Sequence, residues 1–199
     1  MRGLGRLLAS VSVLALAACE TVPGEGAGRG AFVVTALGDV AFAGNRYLNT
    51  AKSKSEWAKY TDALEPLLIG DANFINLEAV VTEESLGEGR DKEFTFQMHT
   101  TALAHLIEDL NVNLISTANN HSGDFGRAGQ MATLEALDAH KDSIAHHGVG
   151  TDEALSTAAE HTFAGQKVAL AAIGISSASP RPAGDKPGQW NVGLRRDWN

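Results

Sequence analysis

Residues 112–124 read VNLISTANNHSGD: an apolar, β-branched run from Val112 to Ala118 that stops at Asn119-Asn120-His121. A short continuous apolar run predicts a buried strand, and polar residues directly after it predict a strand tip that carries chemistry. Two further stretches repeat the pattern. Ala31 to Leu37 (AFVVTAL) runs into Gly38-Asp39, and Asn73 to Leu77 (NFINL) runs into Glu78. Helical spacing lies between them. Trp57, Tyr60 and Leu64 recur with helical period up to Pro66, which breaks or restarts the helix; Leu103, Leu106, Ile107 and Leu110 form an amphipathic stripe; Met131, Leu134 and Leu137 mark a further helix. Phe94 and Phe96 alternate within Glu93 to Met98 as in a half-buried strand, and Ile144 to Gly150 holds a strand-like piece. Ala154 to Ala159 reads as a weaker helix, and Lys167 to Ile175 (KVALAAIGI) as the last strand. Strands alternating with helices over short connections predict an α/β fold of layered sheet and helices, with a largely parallel sheet.

The chain has 199 residues, long enough for one domain with a real core, and 24 acidic against 16 basic side chains leave a net charge of −8. That balance argues against nucleic acid as a partner, because a phosphate-backbone binder carries a basic surface. A single cysteine excludes an internal disulfide framework and any cysteine-rich zinc site.

The position of that cysteine is informative. Arg2 and Arg6 precede an apolar stretch, Leu7 to Leu16, which is shorter than the ~20 residues that span a bilayer as a helix. The stretch ends in Leu16-Ala17-Ala18-Cys19, similar to a bacterial lipobox, so residues 1–18 read as a lipoprotein signal peptide and Cys19 as the lipidation site. Several acyl chains anchor a protein stably where one binds only marginally. Residues 19–30, rich in glycine and charge, read as a flexible tether, residues 31–175 as the domain and 176–199 as an irregular tail. The expected location is the cell envelope, with the protein held to the membrane by its lipid anchor and facing the periplasm or exterior.

Ligands of open α/β sheets bind beyond the carboxyl ends of the strands. Adjacent parallel strands bring Asp39, Glu78 and Asn119-Asn120-His121 together, and two carboxylates, an amide oxygen and an imidazole suit a divalent ion such as Mn, Fe, Zn or Mg. Each residue also has a structural reading: a turn cap for Asp39, a solvated loop carboxylate for Glu78, a turn pair for the asparagines.

The motifs GDVAFAG, NLEAVVT, KEFTF, ANNHSGDFG and HHGVG occur in this order between Ala31 and Ile175, and together they resemble the CapA family of capsule-synthesis proteins, associated with poly-γ-glutamate production. That family resembles the calcineurin-like metallophosphoesterases. The resemblance implies that Asp39 and Asn120 are metal ligands and that Glu78 stands where a bridging carboxylate is expected. It also implies that His121 protonates a leaving oxygen or holds an anionic one, steered by Asp124. An Asp-x-His opening is absent here as in the family pattern, since Ala41 follows two residues after Asp39. The family continues with His-Trp-Gly-x-Glu and Gly-His-His-Pro-His segments, neither of which occurs in this sequence. The expectation is therefore a first half of a longer protein, inactive or weakly metal-binding by itself. Its partner would be an anionic capsule polymer or a polymer-synthesis complex.

Other histidines carry less. His146 and His147 point to opposite faces of a strand, His105 and His140 belong to helices, His161 falls near a strand start, and His99 follows KEFTF and can face the site. Lys92 reads as an exposed loop lysine or as an attractor for an anionic substrate. Phe94, Phe96, Trp57 and Tyr60 read as core, and Gly38, Gly126 and Gly148 as turn residues. A GDS-type serine hydrolase is excluded by Val40 at the nucleophile position, and no phosphate-binding glycine fingerprint is present. Two function classes remain: a metal-dependent hydrolase, and a non-catalytic lipoprotein that binds polymer or organises its synthesis.

Overall fold

In the computed structural model, residues 13–16, 31–41, 54–175, 180–182 and 184–192 are described. Cys19, the tether from 19 to 30 and most of the leader lie outside them. The central sheet is built from β2 (Val34–Val40), β3 (Ala72–Leu77), β6 (Leu114–Ser116) and β7 (Ala145–His147), in the spatial order β2-β3-β6-β7. All three pairings are parallel, with Asp39 opposite Asn76, Asn76 opposite Ser116, and Ser116 opposite His147. The parallel sheet expected from the sequence is thus present, and the three strand tips stand side by side.

Side-chain alternation distributes the core over both faces of this sheet. Ile75, Leu77 and Ile115 point to one side, where they pack with Trp57, Leu103, Leu106 and Leu137. Those residues come from helices α1 (Lys54–Thr61), α2 (Thr100–Ala104, continued by a π turn over His105–Asp109) and α3 (Gly126–Asp138). Phe74, Leu114 and Ala145 point to the other side and meet Phe163, Val168 and Leu170. The second face is covered by an antiparallel sheet in which β10 (Gln166–Ile173) lies between β9 (Ala159–Phe163) and β1 (Val13–Leu16). The molecule is therefore layered as helix, parallel sheet, antiparallel sheet.

Short elements complete it. β4 (Val80–Thr82) pairs with β5 (Gln97–His99), and the Val81 amide donates to Thr133 Oγ1 at 3.0 Å, which fixes α3 on that pair. β8 (Val149–Gly150) is followed by α4 (Asp152–Leu155) and pairs antiparallel with β11 (Gly188–Gln189). Gly148 turns the chain between β7 and β8 at φ 126°.

Several sequence expectations are corrected. The last expected strand, Lys167 to Ile175, belongs to the antiparallel layer, because its alternating apolar residues pack onto the back of the parallel sheet. AFVVTAL is not fully buried: β2 is the edge of its sheet, with Val33 and Val34 exposed, and the strand continues through Asp39 after a register shift at Leu37-Gly38. KEFTF is not a strand, since pairing begins only at Gln97, and Phe94 is exposed. Tyr60 is likewise exposed, on the solvent side of α1, whereas Trp57 is fully buried and donates to Thr101 Oγ1 at 3.0 Å. The helix expected over Ala154 to Ala159 ends at Leu155, and Ala159 opens β9, which puts His161 within that strand. The tail is not wholly irregular, because Gly188-Gln189 forms β11.

Candidate functional site

The strand tips are joined by a line of side-chain amides. Asn76, at the end of β3, donates through Nδ2 to Asp39 Oδ1 on β2 at 2.7 Å. Its own Oδ1 accepts from Asn119 Nδ2 at 3.1 Å, and the same Asn119 amide donates to Leu77 O at 2.8 Å. Asn119 Oδ1 then accepts the backbone amides of His121 (3.0 Å) and Ser122 (2.9 Å), closing the turn after β6 as an Asx motif. Asn76 and Asn119 are both buried, so each polar atom satisfied here avoids a desolvation cost of about 1–3 kcal/mol.

The turn presents His121 and Asp124. His121 Nδ1 lies 2.8 Å from Asp124 Oδ2, and both residues are buried. Where Nδ1 carries a proton it donates to this carboxylate and leaves Nε2 for proton exchange; Lys92 Nζ, a donor only, lies 3.2 Å from the same Nδ1. Asp124 is fixed in turn by the Phe96 backbone amide at 2.7 Å and by Lys92 Nζ at 2.5 Å. Lys92 also donates to Asn120 O at 3.1 Å. It is thus directed inward, and its charge is spent on Asp124 instead of standing free for a substrate. Phe96 stacks on the His121 ring, centroids 3.9 Å apart and 13° from parallel. The alternation that sequence reads as a strand therefore places one aromatic on the candidate acid and the other in solvent.

Glu78 follows β3, its amide donating to Val40 O at 2.9 Å. Burial first, and the Asp39 charge second, hold its carboxyl above the usual range, while His121 and Lys92 pull it down. The predicted residues Asp39, Glu78, Asn120, His121 and Asp124 are thus brought to one end of the parallel sheet. Among the described residues no three histidine, cysteine, aspartate or glutamate side chains group as a metal-holding cluster. The fit to an ion therefore rests on the Asn120 amide: its Oδ1 is buried with no hydrogen-bond partner, in the turn that follows β6. Two carboxylates and an unpartnered amide oxygen suit a hard, oxygen-preferring divalent ion.

Most of the remaining histidines have partners away from these strand-tip residues. His99 caps α2 by accepting the Thr101 amide at 3.1 Å, and His105 is satisfied on both nitrogens, by Thr61 Oγ1 (2.6 Å) and Asp109 (2.8 Å). His147 bridges the layers, accepting the Ala172 amide at Nδ1 (2.9 Å) and donating to Thr157 O (3.1 Å). His146, lowered in pKa by burial, faces Asp138 at 3.8 Å, and His140 faces Glu108 at 3.7 Å. Sequence reasoning missed Asn76 as a site-organising residue. The available signal was an asparagine at the tip of a buried strand, a position where a buried amide must find partners.

A family model described as bacterial capsule synthesis protein PGA_cap matches residues 33–198. The chain belongs to this family. The match covers every strand tip of the site, and the layered α/β architecture accords with it. Two uncharacterized proteins of Sinorhizobium fredii (strain NBRC 101917 / NGR234), y4uA and y4sH, are each 28% identical to the chain over 174 residues. Those alignments cover 83% of this chain and 36% of each relative, so the chain spans little more than a third of their length.

Proposed function

We propose that this capsule synthesis protein contributes to metal-dependent hydrolytic chemistry on an anionic envelope polymer, such as poly-γ-glutamate, or on a phosphoester. We place it at the membrane as a lipoprotein anchored through Cys19. One observation carries the reading: the amide line Asp39, Asn76, Asn119 ends at a carboxylate-fixed imidazole beside an unpartnered amide oxygen. Asp39, Glu78 and Asn120 would hold the ion, which when bound supplies Lewis-acid polarisation of a phosphoryl or carbonyl oxygen. Asp124 orients His121, and His121 Nε2 gives a proton to the leaving oxygen. Phe96 covers one face of the ring and excludes water from it. Lys92 balances the Asp124 charge and ties the Asn120 carbonyl to the same point.

The test is metal analysis and phosphodiester turnover on the full-length protein. Alanine at Asp39, Glu78 or Asn120 should lower bound metal, whereas His121→Ala should lower turnover by about 10²–10⁴-fold with metal content retained, the range of a lost general acid. Unchanged metal stoichiometry in the Asp39 and Glu78 variants would remove the assignment. A second reading, polymer binding without catalysis, is favoured by the lack of a three-side-chain metal group among the described residues. Polymer capture by metal-free protein, with no turnover, would establish it.

A further inference from the structure

The turn that carries Asn120 and His121 is held from a second direction, by a residue far along the chain. Gln189 is fully buried, and its Oε1 accepts the Asn119 backbone amide at 3.0 Å and the Ser122 hydroxyl at 2.5 Å. A backbone N–H can only donate, so the atom facing it must be the amide oxygen, and the side-chain orientation follows without ambiguity. Gln189 Nε2 donates to Asn191 Oδ1 at 2.6 Å, and Asn191 Nδ2 returns a bond to the Gln189 carbonyl at 3.1 Å. Beneath the amide lies Gly174, where a Cβ would collide with Gln189 Nε2. The space for this side chain is therefore made by a glycine at the end of β10.

The backbone of the segment is anchored independently of that side chain. β11 pairs with β8, the Gly174 amide donates to Trp190 O at 2.9 Å, and the Val192 amide donates to Gly174 O at 2.9 Å. The Arg127 guanidinium adds a bond to Arg181 O at 2.8 Å. These contacts hold the segment through groups other than the Gln189 side-chain amide. Both groups that its oxygen accepts belong to the four-residue turn bearing the candidate ligand and acid.

We propose that Gln189 is a positioning residue: its amide oxygen holds the Asn119–Ser122 turn so that Asn120 and His121 keep their places at the strand tips. The inference rests on the functional reading above for its catalytic consequence, and its structural half can be measured without activity. Four variants of the full-length protein serve: Gln189→Met, which removes the acceptor at similar size; Gln189→Glu, which keeps an oxygen there; Ser122→Ala, which removes one donor; and Arg127→Ala, which loosens the segment elsewhere. Hydrogen exchange at the Asn119 and Ser122 amides, bound metal, and kcat and KM for a phosphodiester are the readouts.

Gln189→Met should speed exchange at Asn119 at least tenfold and lower kcat more than it raises KM, while Gln189→Glu restores most of both. Ser122→Ala, a milder change that removes one donor, should speed exchange at Asn119 by a smaller factor even where Gln189→Met does not fold. Wild-type protection of Asn119 in Gln189→Met would overturn the proposal. So would the same pattern in Arg127→Ala with no restoration by Gln189→Glu, since the segment's docking alone would then explain it. Altered exchange as expected, in a protein whose wild type neither binds metal nor turns over substrate, would support the positioning of the turn and reject the functional reading.

Discussion

Glu78 shows how one side chain reports its surroundings. Burial, followed by the Asp39 charge, favours its neutral form, so its folded pKa lies above the ordinary 4.5. A raised carboxyl pKa means that the ionised group opposes folding above the folded pKa, and that the opposition fades as pH falls below the unfolded value. Glu78→Gln should therefore stabilise the metal-free protein at about pH 7 and make no difference near pH 3.5, where both states are protonated. Urea titrations at the two pH values check this, and an equal gain at both would mean that the charge is not the cause. Asp39, Glu78 and His121 are legible in the sequence because charged and imidazole groups follow apolar runs. Asn76 and Lys92 are not, because their roles depend on partners 37 and 28 or more residues away, which only the parallel register brings near.

Among elements, those with strong periodicity are read correctly, as are the short strands β6 and β7, whereas KEFTF and the extent of the helix from Ala154 are not. Leu103, Leu106, Ile107 and Leu110 are all buried, and β3 is buried at every position, as a strand covered on both faces must be. KEFTF misleads because alternation reports which side chains are apolar without reporting a partner strand, and pairing to β4 begins only at Gln97. β10 is identified as a strand but not placed in a layer, since an apolar run is the same in either sheet. The bend between β7 and β8 carries a sharper constraint. Gly148 adopts φ 126°, and a Cβ there would strike the Ala118 backbone, just before the Asn119 turn. Gly148→Ala should cost about 2 kcal/mol or more, combining backbone strain with displacement of that turn. Denaturant midpoints measure it, and a change within about 0.5 kcal/mol, typical of a neutral surface site, would show that the turn yields freely.

For the molecule as a whole, the antiparallel layer raises the question of what borders β10. In the structure Val13–Leu16 pairs with Leu170–Ile173, so part of the apolar stretch expected from the sequence to be a leader forms the outer strand of that layer. No helix among the described residues is long and apolar enough to cross a membrane. If the leader is removed at Cys19, β1 leaves with it and the β10 edge is opened. An open edge with unpaired backbone groups favours pairing with other chains. The decisive variant is Cys19→Ser. Lipidation needs the thiol, so the variant should leave the membrane fraction for the soluble one or retain its first eighteen residues uncleaved, and mass spectrometry of the N-terminus together with fractionation distinguishes the two. Membrane retention equal to wild type with normal cleavage would show that some other feature holds the protein there, and that β1 is lost for a reason unrelated to the lipid.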